Sequence, residues 1–175
     1  MRPSTLQKLQ RAAALLADRE DSYMFAELPP GGPEANAADW DALPEDLRDL
    51  LSFSNAPRAG SIALLKDTRI PANQFYLDSP DVRQIIGGEK ESWLVFGTCF
   101  DFPLLLRRDS GAVWHFPDLG KEHFEDSEFR QLTAGLDEFV ADCLLGTRYL
   151  EITGVSDWWW EFAVETGLAE NRDAS

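Results

Sequence analysis

The sequence predicts a single α+β domain, in which a curved antiparallel sheet is flanked by helices and a further helix stands at each end of the chain. Helical patterns come first, short apolar runs typical of strands fill the middle, and helical patterns return at the end. This order is expected of an α+β domain with an antiparallel sheet. The 175 residues are 44% hydrophobic, which is enough for one ordinary core and not for two.

Net charge excludes one large class of partners. Sixteen basic residues against 31 acidic residues give a formal net charge of −15. Free nucleic acid is bound through Lys and Arg side chains that neutralise phosphates, so we expect no nucleic-acid partner. The acid is uneven, because residues 21–60 carry a net charge of −6 and residues 121–175 a net charge of −9. Both a solvated surface and a face that steers a basic protein partner fit this distribution.

Membrane, metal and disulfide signals are all weak. No apolar run approaches the roughly 20 residues that span a bilayer, and the apolar segment from Ala12 to Ala17 is short and runs into charged residues. We therefore expect a cytoplasmic protein with no membrane partner. The two cysteines, Cys99 and Cys143, lack the spacing of a zinc site. We expect both to be reduced, with no metal and no cofactor.

Residues 1–27 are predicted to form an amphipathic helix that is weakly anchored, with Ser4 as its cap. Its apolar stripe at helical spacing consists of Leu6, Leu9, Ala13 and Leu16. Residues 28–39 contain the prolines and glycines of a linker. The compact domain is expected to span residues 40–175 and to fold without residues 1–30.

A short helix follows, for which Pro44 suits the first helical position while Glu45 and Asp46 lie in its positive first turn. Its apolar side consists of Leu43, Leu47, Leu50 and Leu51. From Ser61 the pattern changes to short apolar runs, which predict strands over residues 61–65, 73–77 and 93–97. A hairpin is predicted next, because apolar residues 103–106 and 112–116 flank the turn formers Asp109, Ser110 and Gly111.

The clearest helical pattern runs from about Glu128 to Leu145, with Gly146 as its stop. Its apolar residues fall within about 140° of one another and are Phe129, Leu132, Leu136, Phe139, Val140, Cys143 and Leu144. This pattern places Cys143 in the core. A last helix is predicted to begin after Ser156.

A thiol active site would need Cys99, His115 and Asp101, since a nucleophilic cysteine requires a base and an orienting group. The predicted hairpin opposes this set, because it leaves Cys99 about six residues, or nearly 20 Å of extended chain, from the position opposite His115. We expect a buried apolar cysteine and a strand histidine instead. The glycines at 31–32 and 87–88 lack the strand-to-helix context of a phosphate loop, so no nucleotide is expected.

The order of the pieces resembles the SUKH superfamily, whose members include bacterial immunity proteins and a fungal cell-wall-synthesis regulator. The resemblance covers roughly residues 40–145 and rests on a leucine-proline helix start, a strand ending in glycine, a hairpin with a turn glycine, and a helix with a central phenylalanine. The matching residues are Leu43, Pro44, Gly97, Gly111, Val113 and Phe139. The chain departs from the family at the helix end, where Asn55 is followed by Ala56 instead of glycine.

The resemblance implies an α+β scaffold that binds proteins and has no catalytic machinery. We accordingly expect a cytosolic immunity protein that neutralises a cognate protein toxin by covering its active-site surface. A nuclease toxin would suit the acidity of the chain, because it must present basic groups to phosphates. The alternative is a regulatory interaction module unrelated to toxins, and an enzyme that uses Cys99 or His115 comes third.

The first candidate for partner contact is the acidic loop after the hairpin. Its carboxylates are Glu122, Glu125, Asp126 and Glu128. Four carboxylates in seven residues would steer a basic toxin toward this loop. A plain solvated loop is the alternative.

The second candidate is Trp160, in a run of three tryptophans. Consecutive helical positions from Trp158 to Trp160 span about 200°, so one core cannot readily bury all three rings. With Trp158, Trp159 and Phe162 on the apolar face, Trp160 falls beyond its edge. It is expected to anchor a partner or a second copy of the chain in a homodimer, with packing against a neighbouring loop as the alternative.

Overall fold

The computed structural model describes residues 1–34, 40–117 and 128–170. The helices are α1 (Pro3–Ala17), α2 (Glu45–Phe53), α3 (Pro80–Ile86), α4 (Leu136–Glu138), α5 (Tyr149–Thr153) and α6 (Trp158–Glu165). The strands are β1 (Ala26–Glu27), β2 (Arg58–Ala59), β3 (Ile62–Leu64), β4 (Trp93–Cys99), β5 (Phe102–Arg107), β6 (Val113–His115) and β7 (Arg130–Thr133). Within these ranges the strands form one open antiparallel sheet in chain order. The predicted α+β class is confirmed.

The predicted hairpin is present between β5 and β6. Leu105 pairs with Trp114 and Leu104 with His115, and Gly111 in the turn has a φ of 75°. That left-handed conformation is the one for which glycine is favoured in a hairpin turn. The turn chemistry in the sequence was therefore sufficient to place both strands.

Gly97 in β4 allows a close approach between two strands. A β-carbon at this position would lie 2.8 Å from the Ala63 carbonyl oxygen and 2.7 Å from Cδ2 of Leu64, closer than ordinary packing allows. The ladder between β4 and β5 shifts its register at the same place, between Val95 and Gly97. Glycine is thus required here for β3 to pair with an irregular β4.

Hydrophobic residues pack on both faces of the sheet. Alternate residues of β4 divide between the two faces, with Leu94 and Phe96 in the larger core and Trp93 and Val95 in the smaller one. The larger core lies between the sheet and α1, α2, α4, α5 and α6. The smaller core lies under α3 and consists of Leu77, Val82, Ile86, Trp93, Val95, Leu105 and Phe116.

The structure corrects the expected anchoring of the N-terminal helix. Helix α1 is part of the larger core, where Leu9, Ala12 and Leu16 are buried. The buried stripe differs from the predicted one because Thr5 and Ala12 face inward, while Arg2 and not Ser4 precedes the first helical residue.

The segment from residue 28 to residue 34 contacts the domain. Pro30 forms an isolated bridge with Ser54, and the Gly32 amide donates to the Leu51 carbonyl at 2.9 Å. Residues 35–39 of the predicted linker lie outside the described part of the chain. The linker prediction therefore identified a segment without regular structure, but this segment is attached to the end of α2.

Residues 73–77 were predicted to form a strand, and this prediction is wrong. They belong to a 3₁₀ helix over Pro71–Leu77. The Gln74 side-chain amide pairs with the backbone of Val95, accepting from its nitrogen at 3.0 Å and donating to its oxygen at 2.9 Å. One side chain thus supplies the hydrogen bonds that a neighbouring strand would have made at the irregular part of β4.

The long helix predicted from Glu128 begins later. Residues Arg130–Thr133 form β7 and pair with β6, since a free strand edge was available there. Helix α4 starts at Leu136 and continues as a π-helical segment over Phe139–Leu144. The predicted inner face of this part is confirmed, because Phe139, Val140, Cys143 and Leu144 are buried.

Cys99 and Cys143 are both buried and neither forms a disulfide. In the described ranges, none of the helices combines the length and the apolar composition needed to cross a bilayer.

Candidate protein-binding groove

Three of the four carboxylates in the predicted acidic loop, those of Glu122, Glu125 and Asp126, lie outside the described residues. Glu128 is described and is exposed, two residues before β7. Its neighbour Phe129 stacks on Trp114 at a centroid distance of 5.0 Å, so this end of the loop is attached to the smaller core.

The structure corrects the expectation that Trp160 is exposed. Its side chain is only 6% exposed and stacks on the Tyr149 ring at 6.5 Å with an angle of 9° between the planes. The buried residues of α6 are Trp159, Trp160, Phe162 and Ala163, which span about 160° of the helix. The core therefore faces a different side of α6 from the one assumed, and Trp158 is the exposed tryptophan, at 55%.

Trp158 belongs to a group of exposed apolar side chains. Among the described residues, the exposed large hydrophobic side chains are Tyr23, Met24, Phe75, Phe100, Val155 and Trp158. Two of them, Met24 and Trp158, line one depression of about 510 Å³, which we call the Trp158 groove. It is lined by Met24, Phe25, Arg58, Gly60, Ser61, Ser156, Asp157, Trp158 and Glu161.

Three of the other exposed residues lie beside residues of the lining. The Phe100 amide donates to the Ser61 carbonyl at 2.8 Å, which brings the turn between β4 and β5 to the groove. The Tyr23 carbonyl accepts from Arg58 at 2.6 Å, and Val155 precedes Ser156 in the chain. Segments from four distant parts of the sequence therefore meet at this surface.

A partly buried polar network fixes the floor of the groove. The Tyr149 hydroxyl donates to the Asp157 carboxylate and accepts from the Ser61 amide at 2.8 Å, while the Ser61 hydroxyl donates to Asp157 at 3.2 Å. Burial, and then the neighbouring Asp157 carboxylate, raises the pKa of Tyr149 far above its usual range. The phenol stays protonated and remains a donor at every physiological pH.

Gly60 completes this floor. A β-carbon at Gly60 would overlap the Tyr149 hydroxyl and the Asp157 carboxylate, and its φ of 55° is left-handed. Only glycine combines this conformation with so close an approach. The turn between β2 and β3 is thereby fixed against the start of α6, and the groove is preformed.

The charged groups of the groove divide into paired and unpaired ones. Asp157 caps α6 by accepting from the Trp160 amide at 3.0 Å, in addition to its bonds to Tyr149 and Ser61. Arg58 is held by the Tyr23 carbonyl and lies 4.0 Å from Glu27. Glu161 is exposed, and no Lys or Arg in the described ranges forms an ion pair with it. Among the polar and aromatic side chains of the lining, those of Ser156, Trp158 and Glu161 form no hydrogen bond, ion pair or ring contact with another described residue.

The set Cys99, His115 and Asp101 is not arranged as an active site. Leu104 pairs with both Gly97 and His115, so Cys99 lies two strands away from His115 and two residues further along, about 12 Å between backbones. His115 is buried and its Nε2 accepts from Arg130 at 3.1 Å. Burial, followed by the Arg130 charge, lowers the pKa of His115 to about 4. Among the residues of the described ranges, no three His, Cys, Asp or Glu side chains are grouped to hold a metal ion.

Comparison with known proteins adds no relative, since no family model matches the sequence and no curated protein matches it. The geometry of the groove is therefore the main guide to function. Sequence reasoning missed Trp158, Met24 and Glu161 as site residues. An aspartate at position 157 is typical of the residue that caps a helix, so the sequence indicated where α6 starts. It did not indicate which side of the helix faces the core.

Proposed function

We propose that the chain is a non-catalytic immunity protein of the cytoplasm, which neutralises a cognate protein toxin by direct binding. The observation that carries this proposal is the Trp158 groove, where the exposed side chains of Met24 and Trp158 line one depression on a protein of net charge −15. Grouped exposed apolar side chains are typical of protein-interaction sites, and tryptophan is enriched among the residues that dominate binding energies.

The resemblance to the SUKH superfamily supports the same proposal. Its matching residues fall on elements in the expected order: Pro44 precedes α2, Gly97 lies in β4, Gly111 forms the hairpin turn, and Phe139 is buried after α4. Proteins of that kind typically act by binding. A scaffold rarely fixes its partner, so the toxin itself has to be found by experiment.

The charge of the chain favours a basic toxin. A nuclease presents Lys and Arg to phosphates, and an acidic protein that covers them competes with the substrate. Neutralisation would then require only occupation of the toxin surface, with no chemistry by the inhibitor. We therefore expect a stable complex in which the toxin is intact but inactive.

The direct test begins with the genes that flank the one for this chain: a large secreted toxin encoded there supports the proposal and supplies the toxin domain, whereas its absence favours a regulatory module. The toxin domain is expressed in a bacterial host, with and without the chain, and growth is measured. We expect the chain to restore growth and to elute with the toxin as one complex in size-exclusion chromatography. If growth is not restored and no complex forms, toxin neutralisation is contradicted, and the alternative of a regulatory interaction module is favoured.

A further inference from the structure

We propose that the Trp158 groove is the docking surface itself, and that it receives an Arg- or Lys-bearing segment of a basic partner. The identification of that partner as a toxin rests on the proposed function, whereas the chemistry of the occupant rests on the groove. This assignment replaces the buried Trp160 with Trp158 as the expected anchor, whereas partner contact by the acidic loop stays a prediction.

The indole of Trp158 is placed to contact a cation. Trp158, Phe25 and Glu161 line the groove and also an adjacent depression that contains Arg19, Asp21 and Glu165, so the ring stands between two hollows. An Arg guanidinium or a Lys ammonium over an exposed tryptophan face is a favourable arrangement, and tryptophan is the best of the aromatic rings for it.

Glu161 supplies the matching negative charge. It follows Trp158 by three residues in α6, and side chains at this spacing are neighbours on a helix surface. Its carboxylate is exposed and unpaired within the described ranges. A cation that stacks on Trp158 can therefore also bind this carboxylate, and a guanidinium can do so with two parallel hydrogen bonds.

The other charged groups around the groove are already used within the chain. Arg19 pairs with Asp21 at 3.2 Å and with Glu165 at 3.3 Å, and Arg58 is held by the Tyr23 carbonyl. An acidic partner would have to break these pairs to find a positive group. A basic partner finds Glu161 without such a cost.

The apolar lining suits the rest of a basic side chain. Arg and Lys lay their aliphatic stems on apolar surface while the charged head stays polar, and Met24, which lines the groove and is 52% exposed, offers such surface. A second copy of the chain is disfavoured as occupant, because two proteins of net charge −15 repel each other.

The test of this proposal uses small ligands and does not depend on a toxin. Acetyl-Gly-Arg-Gly-amide is titrated into the ¹⁵N-labelled full chain, and amide and indole N–H shifts are followed by NMR. Acetyl-Gly-citrulline-Gly-amide is the control, since it has nearly the same shape without the charge. We expect the arginine peptide to shift the Trp158 indole and residues 24, 60, 61 and 161, and the citrulline peptide to shift them at least about threefold less at the same concentration.

Matched variants test whether the arginine peptide binds at the Trp158 groove. Trp158→Ala and Glu161→Gln should remove the arginine-specific shifts, whereas Phe75→Ala and Glu89→Gln should leave them unchanged. Phe75 is an exposed aromatic residue that does not line the groove. The exposed Glu89 lies before the start of β4, about 24 Å of strand from the turn at Phe100. Shifts that are spread over the acidic surface, or that survive Glu161→Gln, would overturn the proposal.

With a neutralised toxin in hand, Trp158→Ala and Glu161→Lys should each weaken the complex by about 30-fold or more, and Phe75→Ala and Glu89→Lys by less than about threefold. Neutralisation that persists with full affinity in the groove variants would leave the proposed function intact and refute this surface. If the groove binds the arginine peptide but the chain does not neutralise the toxin, the assignment of the groove stands and the proposed function is refuted. Dimerisation that Trp158→Ala abolishes would show that a second copy is the occupant.

Discussion

Helix α6 contacts α1 on one side and lines the Trp158 groove on another. The two sides differ in whether their side chains already have partners within the chain. On the α1 side every basic residue of positions 1–20 has a partner within the chain: Arg2 pairs with Asp137, Lys8 donates to Ala141, Arg11 donates to Thr166, and Arg19 pairs with Glu165. On the groove side, the side chains of Trp158 and Glu161 have no hydrogen bond, ion pair or ring contact with another residue that the structure describes. Where polar side chains already form hydrogen bonds and ion pairs within the chain, the surface holds the fold together. Where side chains lack such contacts, the surface can bind a partner.

Removal of α1 should cause the largest loss in the free energy of unfolding. It tests whether the contacts on the α1 side of α6 hold the fold together. Deletion of residues 1–20 removes Leu9, Ala12 and Leu16 from the core, so we expect a loss of about 5 kcal/mol or more, which is enough to abolish cooperative urea unfolding. A synthetic peptide of residues 1–20 should restore part of it. Unchanged cooperative unfolding of the truncated chain would show that the domain folds without its first helix.

Trp160→Ala should cause the second largest loss of stability. It tests whether the buried side of α6 contributes to stability and the groove side does not. The ring is buried against Tyr149, so its removal should cost about 3–4 kcal/mol in chemical denaturation. Trp158→Ala is the paired control, with a change below about 0.5 kcal/mol expected at its exposed position. Equal losses for both variants would mean that the groove is part of the core.

Asp137→Asn should moderately lower the free energy of unfolding, by an amount that depends on pH, because Asp137 connects α4 to α1. Burial alone would raise the pKa of Asp137, but hydrogen bonds from Arg2 and Thr5 outweigh it and hold the pKa below its usual value. A carboxyl with a lowered folded-state pKa stabilises the fold above its unfolded pKa of about 3.9, and this stabilisation is lost as the pH falls through the folded-state pKa. We expect a loss of about 1–2 kcal/mol at pH 7.

The same variant provides its own control in acid. The difference between wild type and Asp137→Asn, measured by urea denaturation, should shrink steadily as the pH is lowered below about 4. A difference that does not change with pH would mean that the carboxylate charge plays no part in holding α1.

Ala56→Gly should give a small gain in stability, away from both surfaces. Ala56 has a φ of 76°, a left-handed conformation that costs a residue with a β-carbon about 1–2 kcal/mol. Glycine removes this strain but adds freedom to the unfolded chain, so we expect a net gain of about 1 kcal/mol. The melting temperature should rise while arginine-peptide binding at the groove stays constant. A variant with a lower melting temperature would show that the Ala56 methyl contributes more through packing than it costs in strain.

Local signals in the sequence predicted several elements well. The start of α2 after Pro44, the hairpin turn at Gly111 and the beginning of α6 after Ser156 are set by residues within a few positions of each element. The departure at Ala56 was also visible in the sequence, and the structure shows that alanine adopts the conformation for which glycine is favoured. Such features depend on backbone geometry and not on distant contacts.

The errors arose where distant contacts decide the outcome. Gln74 pairs with Val95 from a 3₁₀ helix, and β7 forms because β6 offers an edge; neither partner is adjacent in sequence. The wrong exposure of Trp160 has the same origin, since helical spacing gives the relative positions of side chains but not the direction of the core. The groove unites Met24 with Trp158, 134 positions apart, which no local pattern could reveal.

The contacts of α1 with the end of α6 also bear on how the protein is made. Arg11 reaches the Thr166 carbonyl, so the first helix of the chain depends on residues that a ribosome adds about 150 positions later. At roughly 5–20 residues per second, the last of the partners of α1 is made on the order of ten to thirty seconds after the helix itself. During this interval Leu9 and Leu16 are open to chaperones, and the Trp158 groove at the start of α6 can form only after synthesis is nearly complete.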